Sequence, residues 1–198
     1  MTMVLLAHGS SDSVHAEQVD TLAGKVSTLL GEAVTTAFLS DARLPAGADV
    51  LPLFLGAGVH VTRDAPALAT VSNCRLLPAF GRQTDAISSL ILKNAAKNSI
   101  FLLYQPAGFE ALQNRLQEHG PVACLHGESS LITVLQQQHQ AGASGITVQP
   151  VLLFPGHSLA RVRSMISESA IPDVAVAPVL SELDGFAELV AESFRSDK

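Results

Sequence analysis

The sequence predicts an α/β protein of two similar lobes, each a parallel sheet of about four strands flanked by helices. Three observations predict it. Short apolar runs alternate with amphipathic stretches along the whole chain. The runs are nearly continuous in apolar residues, as in strands buried on both faces, rather than alternating apolar with polar. Finally, the pattern occurs twice in the same order.

Taken in order, 4–7 is the wholly apolar Val4-Leu5-Leu6-Ala7 and reads as the first strand, followed by an amphipathic helix over 17–30. Segments 34–39, 50–55 and 75–80 read as strands, and 64–69 and 85–96 as helices. The second half repeats this with strands at 99–104, 122–126, 146–154 and 174–180. Its helices fall at 109–118, 129–138, 159–168 and 185–194. Local text is shared as well. Val4-Leu5-Leu6-Ala7-His8 resembles Phe101-Leu102-Leu103-Tyr104-Gln105, which sets Gln105 at the place of His8. Pro52-Leu53-Phe54-Leu55, then His60, resembles Pro150-Val151-Leu152-Leu153, then His157. Leu76-Leu77-Pro78-Ala79-Phe80 resembles Val176-Ala177-Pro178-Val179-Leu180. The boundary is expected near Lys97-Asn98, giving lobes 1–97 and 98–198.

Composition narrows the function. The chain has 198 residues, 47% hydrophobic and 15% charged, too apolar for a disordered protein. No apolar run approaches the roughly 18 residues of a membrane span, so the apolar residues are expected in cores. Met1-Thr2-Met3-Val4 lacks a basic leader, and Cys74 and Cys124 stand apart with no C-x-x-C. A secretory signal, a disulfide framework and a cysteine zinc site are therefore not expected, and a cytoplasmic location is. Both thiols are expected to be inert and buried in or beside strands. The net charge of −6, with 12 Lys and Arg spread thinly, argues against nucleic acid or an anionic membrane as partner.

In open parallel sheets ligands bind beyond the carboxyl ends of the strands. His8 follows the first strand in Ala7-His8-Gly9-Ser10, and His60 follows the third in Gly56-Ala57-Gly58-Val59-His60. Both are expected at one edge of one sheet, in glycine turns that aim an imidazole outward. Two imidazoles without a thiolate suit a borderline divalent ion such as Fe, Co, Ni or Zn, and few protein ligands leave coordination positions open. Asp64, before Ala65-Pro66, reads as a helix N-cap, with a bond to His60 as the alternative. His15 and His139 fit solvated positions.

These residues resemble a known family. Leu5-Leu6-Ala7-His8-Gly9-Ser10-Ser11-Asp12 resembles the N-terminal motif of the class II tetrapyrrole chelatases of the CbiX/SirB type. Residues 50–66, with Gly58-Val59-His60-Val61 and then Asp64-Ala65-Pro66, resemble their second motif, and Thr36-Ala37-Phe38-Leu39 resembles the strand between. The resemblance implies two α/β lobes facing each other across a cleft, and insertion of Co²⁺, Fe²⁺ or Ni²⁺ into a sirohydrochlorin-type macrocycle. It serves cobalamin or siroheme biosynthesis. By resemblance His8 and His60 are the catalytic, metal-handling pair, and the metal is a substrate. No nucleotide is expected, since no P-loop or G-x-G-x-x-G fingerprint is present.

The sequence departs from the family in three places, one of them the helix after the A-F-L strand, which is nearly deleted. The Glu that usually follows the A-F-L strand is Ser40, with Asp41 beside it, and Ser11 replaces the usual Arg. In the second half His126 falls at the place of Ser40 and His157 at that of His60, and both are further metal-ligand candidates. The carboxylates of the macrocycle need donors, for which Ser10, Arg63 and Arg82 are the candidates, with Arg43 and Arg161 or Arg163 as further arginines after strand ends. The expected protein is an ATP-independent chelatase, monomer or homodimer. Two rivals stand beside it: a non-catalytic carrier of metal or tetrapyrrole, and a phosphocarrier built on Leu6-Ala7-His8-Gly9.

Overall fold

The computed structural model describes residues 2–9 and 13–195. Its elements run β1 (Met3–Ala7), α1 (Ser13–Leu30), β2 (Val34–Phe38), β3 (Asp49–Pro52), α2 (Ala65–Val71), β4 (Arg75–Leu76) and α3 (Thr84–Asn94). They continue through β5 (Ser99–Leu103), α4 (Glu110–Gln117), β6 (Val122–Cys124), α5 (Leu131–Gln140), β7 (Ile146–Pro150), α6 (His157–Ser169), β8 (Val174–Val176) and α7 (Phe186–Arg195). The strands form two parallel four-stranded sheets, ordered β2-β1-β3-β4 and β6-β5-β7-β8. The α/β class and the paired parallel sheets are those expected from the sequence. No described helix is long and apolar enough to cross a membrane.

The central strands explain the continuous apolar text. Every residue of β1 and of β5 is buried, because each strand has a neighbour on both sides and side chains packed on both faces. Several apolar runs outlast their strands. In the first sheet the ladder closes at Leu53, whose N–H donates to Leu6 O, and the chain then meets Gly81, whose N–H donates to Phe54 O. A Cβ at residue 81 would overlap the Leu55 carbonyl oxygen, so only glycine admits this approach. The expected strand 75–80 accordingly shrinks to β4 and a 3₁₀ turn, Phe80–Arg82.

The chain divides into two compact units, Met1–Gln83 with Gly185–Lys198, and Thr84–Asp184. This differs from the expected cut near Lys97-Asn98: α3 belongs to the second unit and α7 to the first. Within the first unit Phe186 packs edge to face on Phe80, 5.4 Å between centroids, and Gln83 Nε2 donates to Ser193 Oγ at 2.6 Å. Arg195 also donates to the Leu29 carbonyl at 2.9 Å. Within the second unit Arg115 pairs with Asp85 at 2.7 Å, joining α4 to α3. Periodicity shows that a helix follows a strand, not which sheet it covers.

Strand register also fixes which positions correspond. Leu6 pairs with Pro52 and Leu102 with Pro150, so His8, two residues on, corresponds to Tyr104 rather than to Gln105. Ala7 pairs with Phe38 and Leu103 with Cys124, which makes His126 the counterpart of Ser40.

Candidate functional site

In the first sheet β1 lies between β2 and β3, so the winding reverses at β1. The crevice beyond the carboxyl ends of β1 and β3 is the switch point, where α/β sheets form ligand sites. His8 leaves β1 there directly, and His60 arrives after β3. Their rings lie 4.5 Å apart, centroid to centroid, at 74°. A ring centroid stands about 3.2 Å from an ion held by its nitrogen at about 2.1 Å, so two rings bound at about 90° stand about 4.5 Å apart. The pair therefore has the spacing of two ligands of one ion. Edge-to-face packing also holds the rings together without one.

Backbone geometry sets up each ring. Gly9 has φ +83°, and a Cβ there would lie 3.4 Å from both Phe38 Cβ and Ser40 Oγ, so the turn after His8 packs tightly on the end of β2. His60 opens a π-helical turn, His60–Asp64, in which Ala65 N–H donates to His60 O before α2 begins. Phe54 lies beside the His60 ring, 5.8 Å between centroids.

Hydrogen bonds fix the tautomers. His8 Nδ1 lies 2.8 Å from the Gly9 carbonyl oxygen, which only accepts, so Nδ1 carries the hydrogen. His60 Nδ1 lies 2.8 Å from Asp64 Oδ2. The hydrogen bond from Arg63 and then that from His60 hold the Asp64 carboxyl below its usual range, so it is ionised and accepts. With Nδ1 as the donor, the neutral form of each ring has its lone pair on Nε2. Asp64 holds the N-cap position of α2 with Pro66 in the first turn, as expected, but its side chain makes no cap bond. Its partners are His60 and Arg63, whose Nε donates to Oδ1 at 2.9 Å.

No carboxylate ligand comes from β2. Leu39 N–H points to Ala7 O in β1, so the preceding Phe38 N–H points to the outer edge of the sheet. Asp41 Oδ2 accepts from Phe38 N at 2.9 Å, which places that carboxylate on the far side of β2 from His8. Ser40 is the side chain at the rim, beside Gly9.

Of the other candidates, Arg63 is 74% exposed at the site, and Arg82 is exposed at the end of its 3₁₀ turn in the same unit. Ser10 lies outside the described residues. Arg43, Arg161 and Arg163 are exposed, the last two on α6. His126 and His157 belong to the second unit, where His126 is exposed with its ring 4.9 Å from that of Tyr104, and exposed His157 opens α6. Among the described residues no three or more His, Cys, Asp or Glu gather as a metal cluster. His15, expected in solvent, is half-buried with its ring 6.4 Å from Phe38. Tyr104 was hidden from sequence reading because the shared text aligns one residue out of register.

No protein-family model matches the sequence, and no curated protein does. Solved structures do. CbiX, the terminal enzyme for biosynthesis of siroheme in denitrifying bacteria, is similar over 100% of both chains at 17% identity and TM-score 0.75. SirB from Bacillus subtilis with Fe³⁺ matches 98% of this chain and 94% of its own, at 13% identity and TM-score 0.75. The sirohydrochlorin chelatase SirB from Bacillus subtilis subspecies spizizenii, in complex with cobalt, matches 98% and 92% at 16% identity and TM-score 0.67. The chain is built on the fold that CbiX and SirB share.

Proposed function

We propose that the protein is a chelatase that inserts a divalent metal, Co²⁺ or Fe²⁺, into a sirohydrochlorin-type tetrapyrrole, with His8 and His60 as the metal-handling pair. The observation that carries this reading is the 4.5 Å contact between two imidazoles at the switch point of the sheet. The fold shared with sirohydrochlorin chelatases supports the substrate class. The metal is a substrate: two nitrogen ligands hold it, and the open positions let the macrocycle nitrogens replace them. The acidic macrocycle is met by exposed Arg63 and Arg82 rather than by net charge, which is −6.

The test is a visible spectrum. Metal-free sirohydrochlorin mixed with Co²⁺, Fe²⁺ or Ni²⁺ is expected to metallate with turnover, and His8→Ala and His60→Ala to fall to the uncatalysed rate. Metallation at that rate with the wild-type protein overturns the reading. A second reading, a carrier of metal or tetrapyrrole, is favoured by Ser40 and by the outward turn of Asp41, which leave the pair without a carboxylate ligand from β2. Stoichiometric binding without turnover supports it.

A further inference from the structure

We propose that the two histidines are unequal: Asp64 makes His60 the anchoring ligand of the metal, and His8 is the ligand that lets go first. This rests on the reading that both rings bind the ion. The difference lies in what holds each Nδ1. His60 donates to a carboxylate oxygen, Asp64 Oδ2, at 2.8 Å, and Arg63 Nε holds the other oxygen at 2.9 Å. His8 donates to a neutral carbonyl, that of Gly9, at 2.8 Å. A carboxylate behind an imidazole makes its far nitrogen the better donor and fixes the ring, and losing one costs about 10- to 100-fold in metal affinity.

The surroundings act in the same direction. His60 is 39% exposed, lies beside Phe54, and shares one wide π turn with Asp64. Exposed His8 donates to its own neighbour, Gly9, within a glycine turn. In transfer to the macrocycle the His8–metal bond breaks first and an unprotonated macrocycle nitrogen replaces it through its lone pair; the two pyrrole N–H protons leave as the remaining nitrogens bind, accepted by the freed imidazole Nε2 atoms or by water. The metal keeps its oxidation state. Asp64 is thus a positioning residue that acts through His60, with Arg63 preventing the carboxylate from turning.

The test uses the full chain and Co²⁺ alone, followed by calorimetry and the visible Co²⁺ bands. His60→Ala is expected to lose binding, His8→Ala to weaken it less, and Asp64→Asn to weaken it about 10- to 100-fold. Asp64→Glu is expected to recover part of the loss. In the metal-free protein, imidazole ¹⁵N spectra are expected to show His60 as the Nδ1–H tautomer, mixed in Asp64→Asn, with His8 unchanged. A role in folding alone leaves that tautomer as it is. If Asp64→Asn does not fold, Arg63→Ala is read instead, with a several-fold loss expected. Wild-type affinity in the Asp64 variant, or in Arg63→Ala where that replaces it, overturns this inference alone. So does a larger loss in His8→Ala than in His60→Ala. Absence of Co²⁺ binding by the wild type overturns the metal reading and this inference with it.

Discussion

Ser40 Oγ lies 3.4 Å from the point where a Cβ on Gly9 would stand, so the end of β2 touches the turn that carries His8. Ser40→Glu is expected to bring a carboxylate to the rim and to strengthen Co²⁺ binding several-fold. A calorimetric titration of the variant checks this, and an unchanged affinity contradicts the placement.

The two thiols occupy different surroundings. Cys124 is 1% exposed, and burial pushes its thiol above the usual range. Cys74 is half-buried and its S–H donates to Pro45 O at 3.1 Å, which corrects the expectation that both are buried. Ellman's reagent at neutral pH is expected to label Cys74 first and to reach Cys124 only on denaturation. Equal rates for the two contradict this.

Glu110 opens α4 and accepts from Gly108 N–H at 3.0 Å. That bond and its own N–H lower its carboxyl from the ordinary 4.5. A depressed folded value means that the stabilisation is present above the ordinary value and lost as the pH falls through the folded one. Glu110→Gln is therefore expected to lower Tm at pH 7 and to lower it less at about pH 2. Thermal melts at the two pH values check it; a deficit as large in acid contradicts it.

Phe186 on α7 is 1% exposed against Phe80 and ties the end of the chain to the first unit. Phe186→Ala is expected to cost about 3–5 kcal/mol. Chemical denaturation measures it, and a loss below about 1 kcal/mol contradicts the assignment of α7 to that core.

The sheets and the histidine pair were legible because burial on both faces and the position after a strand leave marks in the text. β1 and β5 are apolar at nearly every residue, and His8 and His60 each follow a strand and a glycine turn or precede one. The swap of α3 and α7 was not legible, since an amphipathic helix does not name the sheet it covers. Nor was the role of Asp64 settled: Asp before Ala-Pro fits an N-cap, and only the π turn brings its carboxylate under the His60 ring.

X-ray absorption of the Co²⁺-loaded protein tests most directly whether His8 and His60 hold one ion. The expected result is one Co²⁺ per chain with two imidazoles among its ligands, falling to one in His8→Ala. A wild-type site with one imidazole or none, or a count unchanged by His8→Ala, contradicts the account.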